Sequence, residues 1–209
     1  MKARHDELQR YDDRERLYHW VTVVLLMAAA VSGMALFHPS LFFLSAFIGG
    51  GPWTRILHPF IGVATVVVFL FLYLRVRIDN QMTAQDKEWR SKMGELLKGN
   101  KENMPEAGKY NAAQKMVFWS MSISLVVLLV TGFAMWRPYF AHLLPIDAVR
   151  VAVVLHAIAA VVMVLSVILH VYAVIWVQGT LRAMTRGTVT KAWARRNHAA
   201  WHREMTQGK

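Results

Sequence analysis

A chain of 209 residues falls in the size range of one domain. Hydrophobic residues make up 56% of it and the mean hydropathy is +0.31, which excludes an ordinary soluble globule and points to an integral membrane protein. Cysteine is absent, which excludes disulfides, Cys-ligated iron–sulfur clusters and covalently attached c-type haem in this chain, and the net charge of +11 has to be located before it is interpreted.

Residues 1–16 carry five basic and five acidic side chains, a polar tail without net charge. From Leu17 to Thr54 there is no Lys, Arg, Asp or Glu, and the apolar part, residues 17–37, is long enough for a first span before His38-Pro39 breaks it. A cleaved signal peptide would need a less acidic start and small residues after the apolar run; Ala28 to Ala30 lie inside it, so the run is read as a retained helix. Pro39, Pro52 and the run Gly49-Gly50-Gly51 predict a short turn-rich loop. Residues 56–76 form the second span, with His58-Pro59 at its entrance, where proline is tolerated because the first N–H groups lack helical partners.

Residues 77–113 are a polar loop, in which 89–97 are expected to form a short amphipathic helix and 99–108 a loop. Residues 114–136 give the third span. Residues 149–180 give the fourth, within the longest uncharged stretch, the 31 residues from 151 to 181. Residues 182–209 form a tail with seven basic residues, one Glu, and interleaved Trp193 and Trp201, a composition suited to a solvated or interfacial segment. The fold class expected is all-α and membrane-integral, a bundle of four transmembrane helices in one domain covering 1–209.

The charge now has a place. The N-terminal segment, the stretch from 75 to 115 and the C-terminal tail hold 21 of the 24 basic residues; only Arg55, Arg137 and Arg150 lie on the other side. The positive-inside rule makes the basic side cytoplasmic, so both termini are expected there, in the inner membrane of a bacterium. The basic balance is a topology signal, and nucleic acid is not an expected partner.

Topology gives each membrane histidine a depth. His19 enters span one from the inside and His58 enters span two from the outside. Span four runs outward to inward with His156 in its outer part and His170 in its inner part. Fourteen residues separate the last two, roughly 21 Å along a helix and within about 40° of one direction. The four fall into two depth-matched pairs, His58 with His156 and His19 with His170, as two haems with paired axial imidazoles require. Ionisable groups inside a span are costly and usually functional. Taken singly, His19 and His58 suit interfacial side chains and His170 a helix–helix hydrogen bond or proton path; the joint pattern favours ligands. Gly33, Gly62 and Gly132 offer backbone clearance for a flat macrocycle, although glycine is common in transmembrane packing. His5, His38, His142, His198 and His202 lie in tails or loops and are read as non-ligands, and the 12 Met as packing.

A family resemblance is carried by Arg16-Leu17-Tyr18-His19-Trp20, Arg55-Ile56-Leu57-His58-Pro59-Phe60, Gly108-Lys109-Tyr110-Asn111, Gln114-Lys115, Trp136-Arg137-Pro138-Tyr139-Phe140, His170-Val171-Tyr172 and Ala192-Trp193-Ala194. With these, nearly the whole chain resembles the gamma subunits, cytochromes b556, of bacterial membrane-bound formate dehydrogenases. The resemblance implies two b haems held by His19, His58, His156 and His170. It also implies an outer haem fed by an iron–sulfur (beta) subunit, an inner haem serving menaquinone or ubiquinone, and a molybdenum or tungsten (alpha) subunit oxidising formate outside. It places the quinone pocket at Asn111, Gln114 and His170. The family pattern Asn-x-Gly-Gln is broken here by Ala113, whose methyl reshapes the pocket, and the Asn111 to Gln114 spacing also suits a helix cap.

The function expected is therefore the membrane anchor and quinone-reducing cytochrome b of a respiratory formate dehydrogenase, a chain that does not itself oxidise formate. The alternatives are a di-haem cytochrome of another complex, such as a nickel–iron hydrogenase, or a non-redox four-helix protein using its histidines for a metal ion or protons.

Overall fold

The computed structural model describes residues 6–94 and 104–207. In chain order its helices are α1 (Asp13–Phe37), α2 (Gly51–Val76), α3 (Ala84–Ser91), α4 (Ala112–Met135), α5 (Ile146–Trp176), α6 (Thr180–Arg186), α7 (Lys191–Asn197) and α8 (Ala199–Gln207). Among the described residues four of these, α1, α2, α4 and α5, are long and apolar enough to cross a membrane. The shortest has 24 residues, about 36 Å at the helical rise, against a hydrocarbon thickness of about 30 Å. Apolar side chains point outward along all four: Val24 is 67% exposed, Phe71 52%, Val130 61% and Leu169 58%. Water penalises so much outward apolar surface and lipid does not.

The helix starts are set by polar caps that lie ahead of the apolar runs. Glu15 N–H donates to Asp12 Oδ1 (2.7 Å) and Asp12 N–H to Glu15 Oε2 (2.8 Å), a reciprocal box that begins α1 four residues before the uncharged stretch. Carboxylates in that first turn also suit the helix dipole. Helix α2 begins at Gly51 rather than near residue 56, with Pro52 in its first turn; Pro59 is consequently inside the helix, not at its entrance. The expected turn between the first two spans is mostly a ten-residue 3-10 helix, Pro39–Ile48. His38 caps it by accepting the Ser40 N–H at 3.2 Å, and Gly49 and Gly50 end it with φ of 80° and 89°. Ahead of the amphipathic helix expected at 89–97, α3 covers Ala84–Ser91, its start fixed by a capping box of Thr83 and Asp86; residues 93 and 94 are again helical, and 95–97 fall outside the described residues.

By contact density the chain divides into two units. The apolar unit comprises Leu17–Leu74 and Ser120–Ile168. Its side chains meet mostly through small and hydroxylated residues: Ser32, Thr54 and Thr65 are fully buried, and Ser120 and Ser166 share a hydrogen bond of 2.8 Å.

The polar unit comprises Met1–Arg16, Arg75–Trp119 and Leu169–Lys209. It contains the only departure from an all-helical fold among the described residues, two three-residue strands, β1 (Glu7–Gln9) and β2 (Thr188–Thr190). They pair antiparallel with Leu8 opposite Val189. Leu8, Tyr11, Ala183, Val189, Ala194 and Trp201 form a small core under them. The tail expected to be solvated or interfacial thus folds back on the N-terminal segment. Gly187 has to be glycine: its φ is +79°, and a Cβ there would stand 2.8 Å from the Tyr11 carbonyl oxygen.

In the middle of this unit Arg10 is 5% exposed, and its guanidinium lies 5.0 to 5.8 Å from the ring centres of Trp201, Trp193, Tyr11 and Tyr110. His198 bonds the Gly108 carbonyl through Nδ1 (2.8 Å), so that nitrogen carries the proton and Nε2 accepts from Arg10 at 3.3 Å. Burial, with Arg10 beside it, pushes the His198 pKa down to about 4, against the gain from the Gly108 carbonyl. His198 is therefore a buried structural residue and not a loose tail side chain. Trp193 and Trp201 pack around Arg10.

Candidate functional site

In the apolar unit, His58 of α2 and His156 of α5 face one another with ring centres 6.4 Å apart and ring planes inclined by 71°. Each is held by a hydroxyl on the preceding helix. His58 Nδ1 lies 2.8 Å from Ser32 Oγ of α1, and His156 Nδ1 lies 2.8 Å from Thr131 Oγ1 of α4. Both hydroxyls reach back to their own helix, Ser32 to the Ala28 carbonyl (2.8 Å) and Thr131 to the Val127 carbonyl (2.6 Å). A hydroxyl has one proton to give. With that proton on a carbonyl, each hydroxyl accepts from the imidazole, which assigns the ring proton to Nδ1 and leaves Nε2 as a lone-pair donor.

The glycine after each hydroxyl completes the arrangement. A Cβ on Gly33 would stand 3.2 Å from His58 Cε1, and one on Gly132 would stand 3.5 Å from His156 Cε1. The α1–α2 and α4–α5 pairs are thus built alike, with Ser32-Gly33 answering Thr131-Gly132. The third glycine expected to give clearance, Gly62, lies one turn beyond His58 and a Cβ there would meet no protein atom within 4 Å. Phe60 and Phe133 pack on Trp136, with ring centres 4.9 and 5.9 Å away.

A ring-centre separation of 6.4 Å suits one metal between the two imidazoles. Metal–imidazole bonds of about 2 Å and ring radii of roughly 1.1 Å add to nearly the observed distance. Among the described residues no group of three or more His, Cys, Asp or Glu is placed to hold a bare ion. Two protein ligands alone fit an iron whose remaining positions are filled by a macrocycle.

The other expected site residues are distributed between the units. His19 belongs to the apolar unit, half-buried, with its ring edge-on to Trp20 at 5.3 Å. His170 belongs to the polar unit and is exposed, as do Asn111 and Gln114. Those two form the cap of α4: Gln114 N–H donates to Asn111 Oδ1 at 2.9 Å and Asn111 N–H to Gln114 Oε1 at 3.0 Å. Both side-chain carbonyls are occupied, and both NH2 groups remain as donors. One residue on, the Lys115 ammonium is buried against Asp86 (2.7 Å) and the Gln81 carbonyl (3.0 Å). Burial raises the Asp86 carboxyl, but bonds from Lys115 and Thr83 outweigh it and hold the group below its ordinary value.

Ser32 and Thr131 were not foreseen from the sequence. The signal available was a hydroxyl directly before a glycine in two apolar runs, each 25 or 26 residues ahead of a histidine. His142 lies exposed in a short 3-10 helix, Ala141–Leu143, and His5 lies outside the described residues.

Four long apolar helices and a facing pair of imidazoles, each with a free coordinating nitrogen, outline a membrane cytochrome of the b type. Over residues 10–187 the chain matches the family described as prokaryotic cytochrome b561, and it belongs to that family. It is 40% identical over 202 residues to the cytochrome b556(fdo) subunit of formate dehydrogenase from Escherichia coli K12, covering 97% of this chain and 95% of that one. Against the nitrate-inducible cytochrome b556(Fdn) subunit of the same organism it is 39% identical over 191 residues, 91% of this chain and 88% of the other. With the formate dehydrogenase cytochrome b556 subunit of Haemophilus influenzae Rd it shares 35% identity over 200 residues, 96% and 84% of the two chains.

Proposed function

We propose that this chain is the membrane cytochrome b subunit of a respiratory formate dehydrogenase, binding two b haems and passing electrons to a quinone. The observation that carries this reading is the facing pair His58 and His156, each with Nδ1–H on a hydroxyl and Nε2 free. The formate assignment rests on the names of its relatives.

When bound, b haem supplies reversible one-electron transfer. His58 and His156 would hold the outer group. His19 and His170, matched in depth by the sequence, would hold the inner one. With two imidazoles to hold each group, the chain would leave no side open to O2 and would favour electron transfer. The electrons come from an iron–sulfur subunit and ultimately from a molybdenum or tungsten subunit that oxidises formate outside the bacterial inner membrane. This chain's termini lie on the cytoplasmic side.

Asn111 and Gln114 bind the quinone, menaquinone or ubiquinone, with the NH2 donors that capping leaves over, and His170 completes the pocket.

Reduced-minus-oxidised spectra of the purified complex test the haem assignment. Two b haems are expected in the wild type and one in His58→Ala, His156→Ala, His19→Ala or His170→Ala; retention of both in any of these overturns the assignment of that residue. Co-purification with hydrogenase subunits in place of formate-oxidising ones would overturn the choice of complex.

A further inference from the structure

Both imidazoles of the outer pair are held by the same device. A helical hydroxyl, buried at 0% exposure for Ser32 and 6% for Thr131, gives its proton to a carbonyl one turn back and accepts the ring Nδ1–H. The glycine that follows brings the helix backbone against the ring edge, at Cε1 in both cases. Hydroxyl and glycine together fix the two things a freely rotating imidazole would leave open, its tautomer and the rotation of its plane. The planes are held 71° apart.

On the reading that His58 and His156 ligate a b haem, we infer that Ser32 and Thr131 are the positioning residues of the outer site: their hydroxyls set its redox potential and hold its axial ring planes steeply inclined. The chemistry has two parts. An acceptor on Nδ1–H raises the basicity of the coordinating nitrogen, which favours the ferric state and lowers the potential. A neutral hydroxyl does this less than a carboxylate would, so the imidazole keeps its proton. The clamp on the ring plane is a separate effect. Steeply inclined axial planes make the low-spin ferric site strongly anisotropic, whereas parallel planes do not, and electron paramagnetic resonance tells the two apart.

The test uses the whole complex in detergent, with haem content, a redox titration of each haem and the low-temperature ferric resonance spectrum. Thr131→Val removes the hydroxyl at constant shape, and Ser32→Ala removes it without adding atoms. Both are expected to retain two haems, to raise the potential of the outer haem alone, and to shift its resonance to a smaller maximal g value. The inner haem is the internal reference. Thr131→Ser, which restores the hydroxyl on a smaller side chain, is expected to return both readings to those of the wild type. Unchanged potential and g value in Thr131→Val and Ser32→Ala overturn the inference. If the removal variants lose the outer haem, retention in Thr131→Ser upholds the hydroxyl's role and loss there too overturns it. A wild-type complex without b-type absorption would instead sink the haem reading itself, so the two failures are distinct.

Discussion

An asparagine side chain has an acceptor end and a donor end, and at residue 111 the acceptor end is already taken by the Gln114 N–H. Capping and the proposed quinone contact therefore use different atoms of one group. Asn111→Asp separates them, because a carboxylate still caps α4, and sits favourably at its N-terminus, but has no NH2 to offer. Quinone reduction by this variant should fall by roughly tenfold, the weight of about one hydrogen bond, with both haems and thermal stability kept. Asn111→Ala should lose the same activity and also about 1 kcal/mol of stability from the missing cap. Steady-state quinone reduction and thermal melting measure the two effects, and wild-type kinetics in Asn111→Asp would remove Asn111 from the pocket. At this scale the membrane histidines were legible because imidazoles stand out in uncharged runs. Ser32 and Thr131 were not, since hydroxyls are ordinary in membrane helices and no local spacing ties them to rings some 25 residues later in the chain.

The long helices could be read from composition alone, because bilayer thickness sets a length that apolar runs must meet. Their starts could not. Asp12 with Glu15 extends α1 backwards from its apolar run, and Gly51-Pro52 does the same for α2. The pairing of β1 with β2 was invisible for another reason. Strands of three residues carry no periodicity, and the two lie about 180 positions apart. The knot they close depends on Arg10 and His198, and it makes a prediction about acid. His198 titrates near 4 in the folded protein and near 6.5 when unfolded, so the unfolded state binds more protons between those values. Stability conferred by the neutral ring is complete above 6.5 and is lost as pH falls towards 4, on the order of 3 kcal/mol across the window. Hydrogen exchange of residues 180–207 should therefore show protection that falls steeply below pH 6.5. His198→Gln keeps a donor for the Gly108 carbonyl and an acceptor for Arg10 but does not titrate, and its protection should stay flat over the same range. An equal fall in both would assign the acid response to another group.

At the scale of the whole molecule the sequence supplies an orientation. Of 24 basic residues, 21 lie in the segments flanking one end of the spans, a bias that reflects insertion and needs no knowledge of contacts. If the basic side is cytoplasmic, formate is oxidised outside and the quinone is reduced at the proposed inner site, each electron travels inward. It moves against a potential that is negative inside, storing about 2.3 kcal/mol per charge per 100 mV. With protons for the reduced quinone taken from that same inner side, as the proposal requires, the charge separated by the electron would not be cancelled. Formate added outside sealed vesicles that hold the complex in one orientation should therefore generate a membrane potential, negative inside, together with internal alkalinisation, and an uncoupler should collapse both. In Asn111→Asp the potential should fall in proportion to quinone turnover, because each charge crosses only when an electron is accepted. Quinone reduction at full rate without a potential would place both reactions on one side of the membrane and overturn the orientation.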